Sequence, residues 1–263
     1  MHLYSIDKSK RNYTHPSRPR YAFLDHSCID NKTPKKIKVI SYNIKYAKKI
    51  SKAINMLKKE KDLACADIIC LQEMDPEGVD KIAHALKYNY VYYPSVVHPL
   101  HGKDFGNAVL SKWPIVKDKK IILPQKNKKN LQRIAVRATI KISKKKLMVF
   151  SVHVKVFLKK KDRQEQMETI LNSIPKDITH CVVTGDFNTF TKANSRATIA
   201  PFIEKEFNIA SEDIGWTFKK WYLLNKKKTP DHIFTKGMKI LSKGKVVKRG
   251  VSDHVPIWTE LGF

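Results

Sequence analysis

The sequence predicts an α/β domain in which two packed β-sheets carry helices on their outer faces. Three observations carry the prediction. From Ile37 onward, apolar runs of strand length are mixed with apolar stripes of helical spacing, the pattern that layered α/β domains require. In the middle of the chain two longer strand patterns, "RIAVRATIKI" and "KLMVFSVHV", follow one another across "SKKK", a hairpin-like connection. The stretches before and after about residue 125 have broadly similar element content, without a fixed-period repeat. At 263 residues and 42% hydrophobic, the chain is long and apolar enough for a sizeable core.

Each element has its own signal. Residues 1–35 are polar, basic and proline-containing, and read as an irregular N-terminal arm anchored by Tyr4, Tyr13 and Tyr21; residues 36–263 form the folded domain. "KVISYN" is a short strand. Ile44, Ala47, Ile50, Ile54 and Leu57 recur near helical spacing, so a helix follows. "DIICLQE" is a continuous apolar run of strand length, and Val79, Ile82, Ala83 and Leu86 mark a second helix face. "NYVYYP" and "NAVLS" are strand-like. "RIAVRATIKI" alternates strictly, with Ile134, Val136, Ala138, Ile140 and Ile142 on one face, the period of a half-buried strand. "DRQEQMETILNSI" is helical, its inner stripe Met167, Ile170, Leu171 and Ile174, and "HCVVTGD", "HIFT" and "HVPIWTEL" are the remaining strands.

Charge narrows the partners. Lys and Arg number 52 against 24 Asp and Glu, a net charge of +28, and such a surface attracts nucleic acid or an anionic membrane. The plainer alternative is that these lysines, spread along the whole chain, simply solvate it. Cys28, Cys65, Cys70 and Cys181 form no CxxC pair, which argues against a zinc site or a disulfide framework; the last three lie in or beside apolar runs and read as buried thiols. No stretch is long and apolar enough to span a membrane, and "MHLYSIDKSK" lacks the apolar core of a signal peptide. A reducing, cytoplasmic setting is the expectation, with secretion the alternative if an export signal has been removed.

Strand ends carry polar residues that an apolar run does not need. "ISYN" ends at Asn43, "ICLQE" at Glu73, "FSVH" at His153 and "VVTGDFN" at Asp186 and Asn188, while "PDHIF" and "SDHVPIW" begin with Asp231, Asp253 and His254. Taken singly, each is a turn residue or a hydrogen-bonded packing residue. Taken together they put several carboxylates near one spot, where mutual repulsion and burial are costly unless a cation or hydrogen bonds intervene. Oxygen donors with few Cys or His nearby favour Mg²⁺ over zinc, with Mn²⁺ or Ca²⁺ as alternatives.

The motifs "SYNI", "LQE", "SVH", "GDFN", "DHIF" and "SDH" occur in the order found in the endonuclease/exonuclease/phosphatase superfamily, which the chain resembles from about Ile37 to Leu261. "GKDFGNAVLSKWPI" and "GWTF" also look like connecting motifs of that family. The resemblance implies the DNase I-like fold, a four-layer sandwich of two mixed β-sheets flanked by helices. It implies Glu73, supported by Asn43, as the main Mg²⁺ ligand, and Asp253 near or on the metal. Asp186 and Asn188 resemble the pair that orients the attacking water and the scissile phosphate, and His153 the histidine that contacts phosphate. His254 resembles the active-site base or phosphate-binding imidazole, with Asp231 as its orienting carboxylate. Arg133 matches an arginine often seen at its position, where its planar fork would hold a phosphate. A solvated strand face is the alternative for it and for Arg137.

Relatives specialised for abasic sites carry a Trp in the first motif and a Tyr where this chain has His153, so the resemblance is to the His-bearing branches. Those branches include DNase I-type nucleases, sphingomyelinases, deadenylases and inositol-polyphosphate phosphatases. The expected activity is Mg²⁺-dependent hydrolysis of phosphodiesters by a monomer, as an endonuclease on DNA, which the basic surface favours. The alternative is a phosphatase or phosphodiesterase acting on phospholipid or inositol phosphates at an anionic membrane, with "KKWYLL" (219–224) as a lipid-facing segment. A catalytically dead binding module is least favoured, because every motif residue is present.

Overall fold

The computed structural model describes residues 11–25, 33–127, 130–219, 227–248 and 250–263. Two β-sheets pack face to face and each is covered on its outer side by helices. The first half of the chain gives β1 (Tyr21–Phe23), β2 (Lys36–Asn43), a 3-10 turn (Lys45–Ala47), α1 (Ile50–Lys59), β3 (Ile68–Met74), α2 (Pro76–Leu86), β4 (Asn89–Val97), β5 (Asp104–Ser111) and β6 (Ile115–Ile122). The second half gives β7 (Ile134–Ile142), β8 (Lys145–His153), α3 (Lys160–Asn172), β9 (Cys181–Asp186), α4 (Lys192–Glu204) and β10 (Asn208–Ile209). It closes with a short pair, β11 (Phe218–Lys219) and β12 (Lys227–Lys228), then β13 (Asp231–Lys236), β14 (Lys239–Lys245) and β15 (Ile257–Gly262).

One sheet has the order β1-β4-β5-β3-β2-β15-β14 and the other β10-β13-β9-β8-β7-β6. Each contains one parallel pair, β2 with β3 and β8 with β9, and each pair is joined through a helix, α1 and α3 respectively. All other pairings are antiparallel, so both sheets are mixed. The chain crosses back to the first sheet between β13 and β14, and the last strand then fits between β14 and β2, Ile257 opposite Ser41.

Three apolar layers glue these four layers together. Ile37, Val39, Ile68 and Val109 of the first sheet meet Val136, Ile140, Val149 and Val182 of the second. Ile40 and Leu71 face Met56 of α1 and Ile82 of α2, while Phe150 and Val183 face Met167 and Ile170 of α3 and Phe202 of α4. The sandwich is the four-layer architecture expected from the sequence. Among the described residues, no helix is long and apolar enough to cross a membrane.

Several local expectations change. The helix expected from Ile44 starts only at Ile50, because Asn43 Oδ1 accepts the Lys45 N–H and the Ile44 N–H reaches the Gln72 carbonyl, and Tyr46 and Ala47 then take left-handed backbone (φ 56° and 51°). β7 is buried on both faces except at Lys141, because α3 covers the face that alternation left open. Arg137 is therefore not on a solvated face: it is buried and donates to the Ser173 carbonyl at the end of α3. Cys65 is exposed, in a left-handed turn before β3 (φ 59°), whereas Cys70 and Cys181 are buried and free; Cys28 lies outside the described residues. The final strand begins at Ile257 rather than at His254.

The arm is not wholly irregular. Tyr21–Phe23 adds an edge strand to β4. Tyr13 and Tyr21 both donate to Asp104, Arg20 grips Asp118 through two hydrogen bonds of 2.8 and 2.7 Å, and buried Lys120 donates to the Tyr13 and Arg18 carbonyls. Tyr4 lies outside the described residues.

Gly185, next to Asp186, sets how closely β9 approaches β8. Its φ is +149°, and a Cβ there would stand 1.9 Å from the Val152 carbonyl oxygen, which is backbone and cannot swing away. Gly185→Ala is expected to lower the free energy of unfolding by about 3 kcal/mol, measured by urea denaturation, in line with the cost of forcing extra volume into a packed interior. An unchanged midpoint would mean that the two strands are not held at this distance.

Candidate active site

The two parallel pairs end side by side, and their C-terminal ends carry the polar residues. Asn43 and Glu73 finish β2 and β3; His153 and Asp186 finish β8 and β9. Ladder register aligns three of them: His153 pairs with Asp186 across β8 and β9, and Asp186 pairs with Asp231 across β9 and β13. The loop before β15 brings Asp253 and His254 over the same end. A cleft of about 470 Å³ opens there. Seven of the nine residues singled out from the sequence line it, namely Glu73, Arg133, His153, Asp186, Asn188, Asp253 and His254. Asn43 and Asp231 lie behind it, buried, at 1% and 3% exposure.

Asn43 is the hinge between the sheets. Its Nδ2 donates to Glu73 Oε1 (3.2 Å) and to Asp186 Oδ2 (3.0 Å), while its carbonyl accepts from Ser252 Oγ (2.8 Å). Glu73 takes left-handed backbone (φ 59°) where the pairing of β3 with β5 slips between Leu71 and Met74, so a bulge directs the carboxylate away from the ladder. Burial raises the Glu73 carboxyl above its ordinary range, against the opposing pull of His254, Asn43 and Arg133.

Asp186 Oδ1 accepts the backbone N–H of Asn188 (2.9 Å), and its Oδ2 stands 3.6 Å from both His153 Nε2 and His254 Nε2. Burial raises its pKa, partly offset by His254 and reinforced by Asp231. The two histidines diverge. Burial, Arg133 and His254 drive His153 well below the ordinary imidazole value, so it is neutral. Burial would lower His254 too, but Asp231 and Asp186 outweigh it and push the group up to about 10, so it is an imidazolium. Its Nδ1 lies 2.9 Å from Asp231 Oδ2, which also accepts from Thr217 Oγ1 (2.6 Å).

Two residues that line the cleft hold buried nitrogens without a protein partner: Arg133 at Nε and Nη1, and His153 at Nδ1. The Arg133 guanidinium stacks on Phe105 at 5.1 Å. Buried unsatisfied polar groups are costly, and the Arg133 guanidinium brings a positive charge to the cleft wall that an oxyanion would offset.

The carboxylates suit a divalent cation. Ligand atoms of Glu73, His153 and Asp186 lie within 4.8 Å of one another, as do those of Asp186, Asp231 and His254. The second cluster is already held by the His254–Asp231 hydrogen bond. In the first, the carboxylates of Glu73 and Asp186 meet the neutral Asn43 amide and uncharged His153, while the His254 imidazolium and Arg133 offset part of their charge. Oxygen-rich donors of this kind fit a hard cation. Asp253 belongs to neither cluster and is paired with Lys45 Nζ at 2.7 Å.

Some residues of the site carried no sequence signal. Arg163 of α3 is fully buried and donates to the carbonyls of Phe187 (2.6 Å) and Asn188 (3.2 Å), which fixes the loop after β9; Asn188, at φ 52°, then donates its side-chain amide to the Val154 carbonyl. An arginine in an amphipathic helix reads as solvent-facing, so its role was invisible. Thr217 sits within "GWTF", a motif that marked the region without its function. Lys45 and Tyr46 follow "SYNI" directly and line the cleft.

Solved structures share this architecture at low sequence identity. An endonuclease/exonuclease/phosphatase from Beutenbergia cavernae superposes with a TM-score of 0.72 at 16% identity, covering 88% of this chain and 72% of that one. TDP2 of D. rerio, in complex with a single-strand DNA product, gives 0.69 at 16% identity over 88% of this chain and all of that one. The mannosyl-6-phosphatase Bt3783 of Bacteroides thetaiotaomicron gives 0.64 at 20% identity over 86% of this chain and all of that one. No curated protein matches the chain by sequence. The family model described as the Endonuclease/Exonuclease/phosphatase family matches residues 40–254, which span all nine site residues, and the chain belongs to that family.

Proposed function

We propose that the protein is a Mg²⁺-dependent phosphodiesterase of the His-bearing type, acting as an endonuclease on DNA. The observation that carries the reading is one cleft in which Arg133, His153 and the His254 imidazolium surround the Glu73–Asn43–Asp186 group. Those groups suit the oxygens of a phosphodiester. The charge of +28 favours a polyanionic substrate over a small one.

In this reading Arg133 and His153 bind non-bridging oxygens and hold the phosphorus in place. Asp186, raised by burial, takes the proton from the attacking water, with the Asn188 backbone N–H fixing its other oxygen. An imidazolium has no lone pair with which to accept that proton. Of its two family roles, His254 therefore takes phosphate binding, stabilising negative charge as the phosphorane-like transition state forms. Asp231, held by Thr217, keeps it charged and oriented. Glu73, oriented by Asn43, would hold the Mg²⁺ with Asp253 nearby, and the ion supplies Lewis-acid stabilisation of the developing charge.

A second reading, hydrolysis of a phospholipid or inositol phosphate, draws on Phe157. It is 90% exposed at the mouth of the cleft, followed closely by Lys159, Lys160 and Lys161, as a membrane-inserting tip would be. The segment 219–224, of interest for the same reason, lies outside the described residues apart from Lys219.

Cleavage of plasmid DNA is expected in Mg²⁺ and none after full chelation; activity that survives chelation would remove the metal from the account. In a parallel assay on DNA, RNA, sphingomyelin and inositol phosphates, DNA should be cut fastest, and release of a lipid head group with DNA intact would favour the second reading. Asp186→Ala and His254→Ala should each lower kcat by about 10²–10⁴ with folding retained, the range for losing an acid–base or charge-stabilising group. In the metal-free protein the His254 ring should titrate near pH 10 by NMR, and Asp231→Asn should bring that midpoint down by several units. Because the folded pKa lies above the ordinary 6.5, the pair's stabilisation is complete below about pH 6.5 and fades as pH rises towards 10. A ring that titrates near pH 6.5 in the native protein would contradict the Asp231 pairing.

A further inference from the structure

The catalytic cleft continues past Glu73. Tyr46 and Glu73 line both the cleft and a small adjoining recess whose walls include His98 and His101. Asp75 and Lys103 line both that recess and a third cavity of about 430 Å³ between α1 and α2. The recess itself holds only about 20 Å³ and also carries Asp104, so the three hollows lie in a row with shared walls, and the groove is the surface path that runs from the cleft past Tyr46 and His101 to the third cavity.

The near part of this groove is aromatic. From His153 a train of rings runs outward: Phe105 at 5.7 Å from it, His98 at 5.2 Å from Phe105, and His101 stacked on His98 at 4.9 Å. Tyr46 closes the train, its ring 4.4 Å from His101 and 4.8 Å from His98. The left-handed backbone at Tyr46 and Ala47 places that ring here; an ordinary helical start at Ile44 would not. Phe105 and His98 are buried, while His101 and Tyr46 are partly exposed and form the accessible edge.

The far part is cationic. Lys48, Lys49, Lys52, Lys81 and Lys103 line the third cavity with Asp75 and Glu77. The two carboxylates are already used: Glu77 pairs with Lys81 at 2.6 Å, and Asp75 pairs with Lys103 at 3.3 Å and caps α2. Among the described residues, Lys48, Lys49 and Lys52 have no carboxylate partner. They gather at the first turn of α1, which has no side-chain cap, so its backbone N–H groups add to the positive field. All three are exposed, so they present one positive track on which an anion can sit.

We propose that this groove seats a single strand of DNA on one side of the scissile phosphate, with an unpaired base against Tyr46 and His101 and the neighbouring phosphates among Lys48, Lys49 and Lys52. The proposal rests on the nuclease reading of the cleft and names the form of the substrate. An aromatic ring takes up a base face only when that base is unstacked from its neighbours, and a ring platform combined with a basic track is how single strands are held without sequence preference. A lipid head group would occupy the cleft and leave the lysine-lined cavity unused.

The test is fluorescence anisotropy with a short labelled single strand in chelator, beside turnover of bis(p-nitrophenyl) phosphate in Mg²⁺. Lys48→Ala/Lys49→Ala/Lys52→Ala should weaken strand binding about tenfold or more at low salt, and should lower the salt slope by about 2, at roughly 0.7 per phosphate contact. Its turnover of the small diester should match the parent protein, since these lysines stand apart from the reacting atoms. Tyr46→Leu, which keeps apolar bulk but removes the ring, should weaken strand binding about tenfold. Unchanged affinity and slope in the triple variant would overturn the groove. Equal losses for a blunt duplex or for anionic vesicles would overturn the single-strand assignment. If the parent protein hydrolyses no phosphodiester yet the triple variant loses strand binding, the nuclease reading fails while the groove stands.

Discussion

The hydrogen bond from Asn43 to Asp186 is the interaction on which the rest of the site depends. The two residues end strands of different sheets, and apolar packing between sheets does not by itself fix how one face sits on the other. Polar groups do. Beneath the site, Gln72 of β3 donates to Ser151 of β8 (3.0 Å), Ser151 donates back to the Leu71 carbonyl (2.9 Å), and Asn107 of β5 donates to the carbonyls of Ile134 and Ser151. A displaced sheet would leave these buried groups without partners, at a cost of about 1–3 kcal/mol each. The seam therefore holds the sheets in the one register that sets Glu73 beside Asp186.

The same constraint explains the divided protonation of the site. Two imidazoles lie 3.6 Å from one carboxylate oxygen, yet one is charged and the other neutral. Their exposure is almost equal, at 3% and 6%, so burial does not separate them. Their neighbours do: His254 has Asp231 behind it, whereas His153 has Arg133 and His254. A single cleft thus holds a fixed cation, a neutral imidazole and a carboxylate raised towards neutrality, groups of the kind that acid–base and charge-stabilising chemistry draws upon. The basic exterior, a net charge of +28, lies outside this balance, which is set by neighbours within a few ångströms.

Much of the fold was legible because its strands are long, apolar and bounded by polar ends. The unread elements are those whose local pattern is weak. β6 and β14 are rich in lysine and lie at or near sheet edges, where one side is open to water and apolar alternation is not needed. α4 carries an internal Pro201 and little apolar contrast between its faces. Three residues, Tyr21–Phe23, became a strand only because β4 offered an open edge. In the site, the polar ends of β2, β3, β8 and β9 stood out because a buried strand has no packing use for Asn, Glu, His or Asp. Arg163 gave no such signal, because an arginine at a helical position is ordinarily solvated, and here the loop after β9 folds over it.

By itself the sequence determined which side chains end which strands, because period-two burial and strand length are local properties of the chain. It also determined the charge of the surface and the family of the fold through the order of its motifs. Only the tertiary structure decided how those ends meet. Strand register set His153, Asp186 and Asp231 in one row, and the pairing of the final strand with β2 brought His254 over them. Protonation likewise belongs to the folded state alone, since it depends on which charges lie within a few ångströms after burial, and that distance is written in no single segment of the chain.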